Sequence, residues 1–289
     1  MTPNIRVLET PEEMSAVEEL QRRVWPGSET EVVPAHLLIT AIHAGGLVLG
    51  AIENDELVGF LFGFPGLEFV PDGPRAKHCS HMLGVLESHR DTGIGFNLKR
   101  AQWQMVRNQG LDHITWTYDP LLSRNAHLNV ARLGAVCNTY LPSYYGEMSD
   151  ALNAGLPSDR FQVDWWIRTR RVERRLGKRS RGTLGLSHFA DADTQFLYSP
   201  RQRPDGFPVP PPRFAQPDGR LALAEIPSDF MKMKAEDFAL ARDWRNFSRE
   251  TFESIFKTGY LITDFTYDRE NDRSFYVLAD GESTLGKVL

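Results

Sequence analysis

Apolar positions along the first 170 residues follow two spacings. Short apolar runs predict strands, and apolar residues that recur every three or four positions, as between residues 14 and 24, predict amphipathic helices. The predicted strands are residues 5–8, 47–52, 57–64, 78–85, 113–118, 136–141 and 161–167, and the predicted helices are 11–24, 35–44, 95–108 and 123–133. This order, β-α-α-β-β-β-α-β-α-β-β, predicts an α/β (α+β) fold with helices on both faces of a mixed central sheet.

Local signals at the helix ends support these boundaries. Thr10 and Glu13 have the spacing of a capping box, and Pro11 between them suits the first helical position. Gly110 and Gly134 follow the third and fourth predicted helices and are typical helix-ending residues.

The chain beyond residue 180 has a different pattern. Residues 198–218 hold seven of the chain's 18 prolines, which is typical of an extended linker or crossover. A strand at 221–226, a helix at about 236–256 and strands at 260–267 and 275–279 follow. We therefore predict a domain at 1–180, a proline-rich linker or crossover at 181–218, and a C-terminal β-α-β-β extension at 219–289 that packs on the first domain, because the apolar stripe of its helix needs cover. We expect Arg245 and Arg249, on the opposite face of that helix, to be exposed; a contact with an acidic group of the acceptor is the alternative.

Composition narrows the functional classes. Hydrophobic residues make up 41% and charged residues 25% of the 289 positions, which is ordinary for a globular protein. The net charge of −5 argues against a dedicated nucleic-acid-binding protein. The first residues lack the apolar core of a signal peptide, no apolar run is long enough to span a membrane, and two cysteines make no disulfide framework. We therefore expect a cytoplasmic protein.

A basic stretch stands apart from this acidic total. Residues 168–181 contain eight basic residues in 14, which favours the solvated face of a helix. A contact with a phosphate or an acidic partner is the alternative.

The most specific signal lies in residues 81–100. An apolar, strand-like run meets a polar turn at residues 87–92, and Gly93-Ile94-Gly95 then opens an amphipathic helix. Two glycines at a strand-to-helix turn leave backbone N–H groups free to face one point, and the helix N-terminus adds its partial positive charge there. The pattern predicts an anion site for a phosphate or pyrophosphate. A structural turn is the alternative, because the third glycine of a dinucleotide fingerprint and the Gly-Lys-Ser/Thr of a nucleotide loop are both missing.

These residues resemble the signature of the GNAT superfamily of acyl-CoA-dependent N-acyltransferases, Arg/Gln-x-x-Gly-x-Gly/Ala after a strand that carries Val. Arg90, Gly93, Gly95 and Val85 fit it, and Glu87 stands where the family often has Pro. The resemblance covers roughly the first 170 residues. It is greatest to a bacterial subgroup of predicted acetyltransferases without an agreed substrate, which shares the stretches ITWTYDPL, RNAH and YLPSYYGEM.

The resemblance implies an acyl-CoA, typically acetyl-CoA, as co-substrate and no metal. It implies that strands 78–85 and 113–118 splay apart and that the pantetheine arm lies in the gap. The residues then implied to bind the cofactor are Leu83, Val85, Arg90, Asp91, Thr92, Gly93, Ile94 and Gly95, and we add Asn125 and Asn129, which share a predicted helix face. Exposed or capping amides are the alternative for the two asparagines.

The family resemblance also directs attention to a base on the strand before the turn. Strand alternation places Cys79, His81 and Leu83 on one face and His78 and Ser80 on the other. His81 is the candidate base, because imidazole titrates near neutral pH. A structural histidine is the alternative, and opposite faces argue against a metal site shared by the two histidines.

The general acid departs from the family pattern. The family's usual tyrosine lies four residues before a glycine, and counting back from Gly134 gives Val130. Tyr144 and Tyr145 are the nearest hydroxyls, and we take Tyr145 as the candidate acid. Packing of exposed aromatic rings explains them equally well.

The sequence thus favours an N-acyltransferase that moves an acetyl or other short acyl group from CoA to the amine of a small molecule by direct attack. Direct attack is favoured because Cys137 has no evident base and Cys79 lies within a strand. The alternatives are a degenerate domain that binds or senses acyl-CoA and, with little support, a nucleic-acid-binding protein. The acceptor, the length of the acyl chain and association into a homodimer stay open.

Overall fold

The computed structural model describes residues 3–27, 29–148, 154–177 and 184–281. The strands are β1 (Asn4–Val7), β2 (Leu47–Glu53), β3 (Glu56–Val70), β4 (Gly73–Val85), β5 (His113–Tyr118), β6 (Val136–Leu141), β7 (Arg160–Trp166), β8 (Gln195–Phe196), β9 (Arg201–Gln202), β10 (Pro208–Val209), β11 (Leu221–Ile226), β12 (Tyr260–Asp268) and β13 (Arg273–Asp280). The α-helices are α1 (Pro11–Val24), α2 (Ala35–His43), α3 (Ile94–Asn108), α4 (Ser123–Ala126), α5 (Arg170–Leu176), α6 (Leu186–Asp191), α7 (Phe230–Glu236) and α8 (Phe238–Lys257).

The described residues divide into two compact units. The first contains the chain up to Trp116, Ala154 and Trp165–Leu176, and the second contains Thr117–Met148, Gly155–Asp164 and the chain from Gly177 onward. Each unit combines helices with a sheet, and the predicted α/β (α+β) class is confirmed.

The sheet of the first unit has the order β1-β2-β3-β4-β5, antiparallel except for the parallel pair β4 and β5. Its first helix forms as predicted. The Thr10 hydroxyl accepts a hydrogen bond from the Glu13 N–H at 3.3 Å, and the Glu13 carboxylate accepts one from the Thr10 N–H at 3.0 Å. This capping box satisfies two N–H groups that the helix itself leaves without acceptors. The apolar side of α1 then enters the core, where Met14 and Val17 are fully buried.

An extra residue interrupts the pairing of β3 with β4. Phe62 lies opposite Met82, and Gly63 lies opposite Ser80, so His81 has no opposite residue on β3. This is a β-bulge, and it reverses the alternation of side chains along the strand beyond it.

The bulge overturns one expectation from the sequence. Cys79 pairs with Phe64 and therefore lies on the face of Phe62 and Phe64, whereas Leu83 lies on the face of Ser80. The prediction that Cys79, His81 and Leu83 share one face is therefore wrong. Strict alternation fails because the strand contains one residue more than its partner across this stretch.

The second unit has the strand order β7-β6-β12-β13-β11-β8. The helix predicted at 236–256 is α8, which begins at Phe238 because the side chain of Asp237 accepts a hydrogen bond from the Leu240 N–H at 3.0 Å. The shorter helix α7 precedes it, and the sequence pattern predicts no helix there. The helix predicted at 123–133 begins as α4 and continues as a π-helical turn at His127–Arg132, an irregularity within a stretch of unbroken helical pattern.

The proline-rich segment belongs to the second unit and is anchored there. It contains the short antiparallel pair of β9 and β10. The Tyr198 hydroxyl donates to the Glu225 carbonyl at 2.6 Å, and the Trp244 indole N–H donates to the Pro208 carbonyl at 2.7 Å. These bonds tie the segment to β11 and α8.

Two arginines of α8 contradict the expectation of exposure. Arg245 is only 1% exposed, and its guanidinium binds both carboxylate oxygens of Asp119, one of them at 2.9 Å. Arg249 is half-buried and binds both carboxylate oxygens of Asp159 at 2.9 and 2.6 Å. The expectation was wrong because the helix also buries the side opposite its apolar stripe, and a carboxylate in bidentate contact compensates each desolvated guanidinium.

Asp119→Ala should destabilise the second unit by about 3–5 kcal/mol, because it leaves the buried Arg245 charge without its counterion. Urea unfolding followed by circular dichroism measures the change. Asp243→Ala, which removes an exposed carboxylate from α8 itself, is the matched control and should lie within about 0.5 kcal/mol of the native protein. Equal stability of the two variants would show that the ion pair does not hold this unit together.

Candidate functional site

The turn between β4 and α3 has the backbone geometry of an anion site. A short 3₁₀ turn, Glu87–His89, follows the strand. Asp91 and Gly93 then adopt left-handed conformations, with φ of 65° and 88°, and Gly93 is the N-cap residue of α3. A left-handed residue at a helix N-terminus turns successive N–H groups toward one point. The predicted turn is therefore present at the predicted residues.

Space in front of this helix terminus is open. No side chain caps the helix, and a Cβ placed on Gly93 would meet no atom within 4 Å. The first N–H groups of a helix have no acceptor within it, and the helix dipole favours an anion beside them. Arg90 is exposed beside the turn, where its Nε donates to the Val85 carbonyl at 3.3 Å. The turn can therefore accept a phosphate, with a cationic side chain at its edge.

The polar residues of the turn hold it in place. The Thr92 hydroxyl donates to the His89 carbonyl at 2.7 Å. The His89 Nε2 lies 3.1 Å from a carboxylate oxygen of Glu53, at the end of β2. The sequence does not point to Glu53 and His89, because neither forms part of a motif and residues 36 positions apart carry no local signal. They fix the turn against the sheet.

The pairing of β4 with its parallel neighbour β5 ends well before the turn. The ladder contains the pairs His78↔Ile114 and Cys79↔Thr115, and among the described residues it ends there. Leu83 and Val85, which pair with β3 on one side, are half-buried. Within the first unit, the edge of β4 beyond Cys79 therefore has no paired strand among the described residues, as the family resemblance implies.

His81 is the bulge residue of β4. Its ring centroid lies 5.8 Å from that of Phe62 and 5.9 Å from that of Phe64, although the residue as a whole is exposed. Loss of water on the protein side lowers the pKa of His81 below its ordinary value. The imidazole is therefore neutral at neutral pH, the state that can accept a proton.

The other histidine of this strand has a different environment. His78 is fully buried, and burial, followed by the charge of Lys99, lowers its pKa to about 4. Among the described residues no group of three or more His, Cys, Asp or Glu side chains could hold a metal ion.

Two predicted cofactor-binding residues, Asn125 and Asn129, belong to the second unit. Asn125 is half-buried in α4, and Asn129 is 5% exposed within the π-helical turn. Val130, where the family has a tyrosine, is fully buried and has no hydroxyl to offer. The π turn widens the helix, so a spacing of four residues no longer defines one face as it does in an α-helix. A role for the asparagines in binding CoA stays a prediction.

Tyr145 lies on an exposed turn of the second unit. Its hydroxyl shares a hydrogen bond of 2.9 Å with the Thr117 hydroxyl, and its ring centroid lies 5.4 Å from the Arg160 guanidinium. Ser158 secures the turn, because its hydroxyl accepts from the Tyr145 N–H at 3.0 Å and donates to the Gly146 carbonyl at 2.7 Å. The phenol is accessible and oriented, and its role as an acid stays a prediction.

The two thiols are protonated in these surroundings. Burial raises the pKa of both Cys79 and Cys137, most strongly that of the fully buried Cys137. A thiol is a poor nucleophile until it loses its proton. Neither cysteine therefore has the environment of an activated nucleophile.

Only part of the basic stretch is described. Arg170–Leu176 forms α5, as expected for a helix. The Arg168 guanidinium donates to the Arg107 carbonyl at 3.0 Å, and Glu173 lies 3.4 Å from the Arg107 guanidinium. Residues 178–181 lie outside the described residues.

The sequence of residues 14–134 matches the model of the Acetyltransferase (GNAT) family. This segment is a GNAT acetyltransferase domain. It includes β4, the glycine turn and α3, and the predicted family is confirmed. The segment is accordingly an acetyltransferase domain, with acetyl-CoA or another acyl-CoA as its co-substrate. No curated protein sequence matches the chain.

Solved structures similar to this GNAT protein include three acetyltransferases. Arabidopsis thaliana NAA60 in complex with acetyl-CoA is 16% identical, with a TM-score of 0.46 over 57% of this chain and 99% of that one. Aminoglycoside 6'-acetyltransferase type Ii is 20% identical, with a TM-score of 0.45 over 58% and 99%. A GNAT acetyltransferase from Streptococcus pneumoniae is 14% identical, with a TM-score of 0.45 over 56% and 97%. Within the described residues of the GNAT protein, no helix has the length and apolar character needed to cross a membrane.

Gly95→Asp should abolish CoA binding, because it adds bulk and a negative charge at the second position of α3, where the pyrophosphate is expected. Isothermal titration calorimetry with CoA measures the loss, and circular dichroism checks that the fold persists. Gly95→Ala adds a methyl group without charge, and we expect it to weaken binding by about tenfold or less. Native affinity in Gly95→Asp would remove the turn from the cofactor site.

Proposed function

We propose that this acetyltransferase transfers an acetyl or other short acyl group to the amine of a small molecule by direct attack, in the cytoplasm. The observation that carries the proposal is the combination on one strand of a neutral imidazole, an open edge and an anion-binding turn. The strand β4 ends at the turn, its edge is open beyond Cys79, and His81 projects from its bulge.

The cofactor binds the first unit in two parts. The pyrophosphate lies at the residues of the turn, which are Arg90, Asp91, Thr92, Gly93, Ile94 and Gly95. The pantetheine arm follows the open edge of β4, where the amide and carbonyl groups of Leu83 and Val85 face it. Backbone groups on an open strand edge bind an extended amide chain as another strand would. Arg90 releases the Val85 carbonyl when it turns toward the phosphates.

Acyl transfer requires a neutral amine. The amine nitrogen attacks the thioester carbonyl carbon, the carbon–sulfur bond breaks, and the nitrogen loses a proton. His81 accepts that proton, directly or through a water molecule, because packing against Phe62 and Phe64 keeps its imidazole neutral. The departing thiolate takes up a proton in turn, and the Tyr145 hydroxyl stays our candidate donor.

Direct attack is favoured over an acyl-enzyme intermediate. A cysteine nucleophile needs a lowered thiol pKa or a neighbouring base, and burial moves the pKa values of Cys79 and Cys137 the other way. The acyl group therefore passes from sulfur to nitrogen in one transfer.

His81→Ala should lower kcat by about 10²–10⁴, because the amine proton loses its acceptor, while the affinity for CoA hardly changes. In the native enzyme the rate should fall as the pH decreases through the pKa of His81, which lies below its ordinary value because packing against β3 partly desolvates its ring. Steady-state kinetics between about pH 4.5 and 8.5 should show this acid limb in the native enzyme and none in His81→Ala.

His188→Ala is the control for that experiment, since this exposed histidine lies in α6 of the second unit. It should keep the native rate and the native pH profile. A native acid limb in His81→Ala would assign the base to another group.

A panel of small amines incubated with acetyl-CoA should identify the acceptor. Release of free thiol is followed spectrophotometrically, and we expect one amine class to raise it at least about tenfold above the slow hydrolysis without amine. Tight CoA binding with no release for any amine would support the alternative of an acyl-CoA-binding or sensor protein.

A further inference from the structure

Lys99 is an unusual residue of the first unit. It lies on α3 and is only 2% exposed, although lysine is among the residues most rarely buried. No carboxylate among the described residues forms an ion pair with Lys99. Burial lowers the pKa of Lys99 well below its ordinary value, an effect that outweighs the opposing influence of Cys79.

The amine of Lys99 lies at the point where two strands separate. Its Nζ donates to the Ser80 hydroxyl at 2.8 Å and lies 3.6 Å from the centroid of the Trp116 ring. Ser80 directly follows Cys79, the last residue of β4 in the parallel ladder, and Trp116 directly follows Thr115, its counterpart on β5. Lys99 therefore contacts the first residue of each strand beyond the ladder.

A buried polar cluster supports this contact. Gln102, one turn further along α3, accepts from Lys99 at 3.3 Å and from the Ser80 hydroxyl at 3.1 Å, and its amide nitrogen lies 3.1 Å from His78 Nε2. Glycine at position 63 makes room for the cluster, since a Cβ there would lie 2.3 Å from His78 Nε2. The backbone of β3 is thus shaped around these side chains.

The polar end of Lys99 is difficult to explain by packing alone. A methionine would fill nearly the same volume between α3 and the sheet without desolvating an amine. Ser80 and Gln102 would still bond to each other. Only the amine links α3 to Ser80 by a hydrogen bond while its nitrogen contacts the ring of Trp116.

We propose that Lys99 is a positioning residue that keeps Ser80 of β4 from pairing with Trp116 of β5 and so fixes where the open edge of β4, along which the acyl arm lies, begins. The inference rests on the proposed function for the location of the arm. We call the point after Cys79, where the pairing of β4 with β5 ends, the fork. The six residues Ser80 to Val85 span roughly 20 Å at about 3.3 Å each, from the fork to the beginning of the phosphate turn. An arm anchored at the turn therefore ends near the fork, beside the bulge that carries His81. The position of the fork determines where the thioester stops relative to the base.

Lys99→Met tests the separation directly. Without the amine we expect the strands to approach and extend their ladder, so the amides of residues 80–83 should exchange hydrogen about tenfold more slowly than in the native protein. Hydrogen exchange read by NMR or mass spectrometry measures this in the full chain without any ligand. Lys77→Met, the same substitution on a lysine of β4 within the ladder with β3, should leave these amides unchanged.

Kinetics provide the second measurement. Lys99→Met should raise KM for acetyl-CoA about tenfold with little change in thermal stability, because the arm loses part of the open edge of β4. Ser80→Ala should shift exchange and KM in the same direction, and the double variant should add little to Lys99→Met, since both substitutions break the same link. Ser80→Ala decides the matter if Lys99→Met does not fold.

The outcomes separate the two proposals. Native exchange at residues 80–83 in both variants, or faster exchange throughout the first unit, would overturn the role of Lys99. Slower exchange confined to residues 80–83 supports it even if the native protein binds no CoA, and in that case the proposed function fails instead.

Discussion

The functional features of the first unit depend on one constraint on β4, which pairs with β3 along nearly its whole length but with β5 at only two residues. Full pairing on one side keeps the strand in the sheet. Backbone N–H and C=O groups on the other side need partners, because unsatisfied buried groups are costly. An open strand edge is therefore a binding surface for an extended ligand with amide groups. The bulge at His81 and the turn at Gly93 give that edge a neutral imidazole at one end and an uncapped helix N-terminus at the other.

Charges are treated differently in the two units. In the second unit buried guanidinium groups meet carboxylates in bidentate contacts, as Arg245 does with Asp119. Around β4, by contrast, burial shifts pKa values toward the neutral forms of His78, His81, Cys79 and Lys99. The first arrangement stabilises structure, and the second keeps proton acceptors and thiols uncharged.

The sequence predicts the elements of this architecture better than its irregularities. The glycine spacing locates the turn and α3 to within one residue, because left-handed backbone and helix starts have local signals. The bulge escapes prediction, since alternation cannot show that β4 has one residue more than β3. Lys99 escapes because a lysine in an amphipathic helix normally indicates the solvent face. Helix α7 escapes because its seven residues are too few to show a helical period.

The distribution of charge around β4 suits a reaction between neutral partners. An amine attacks only when it is unprotonated, and a thioester is uncharged, so a strand surrounded by neutral side chains does not favour the ammonium form of the acceptor. The phosphates of CoA are negatively charged and need the opposite environment, which the helix terminus and Arg90 provide at the exposed end of the strand. Under the proposed function, separation of the two environments along one strand lets the cofactor be held by its charged end while its reactive end lies among groups that burial keeps neutral. In that arrangement the length of strand between the turn and the fork matters as much as the identity of the base, because it sets how far the thioester reaches.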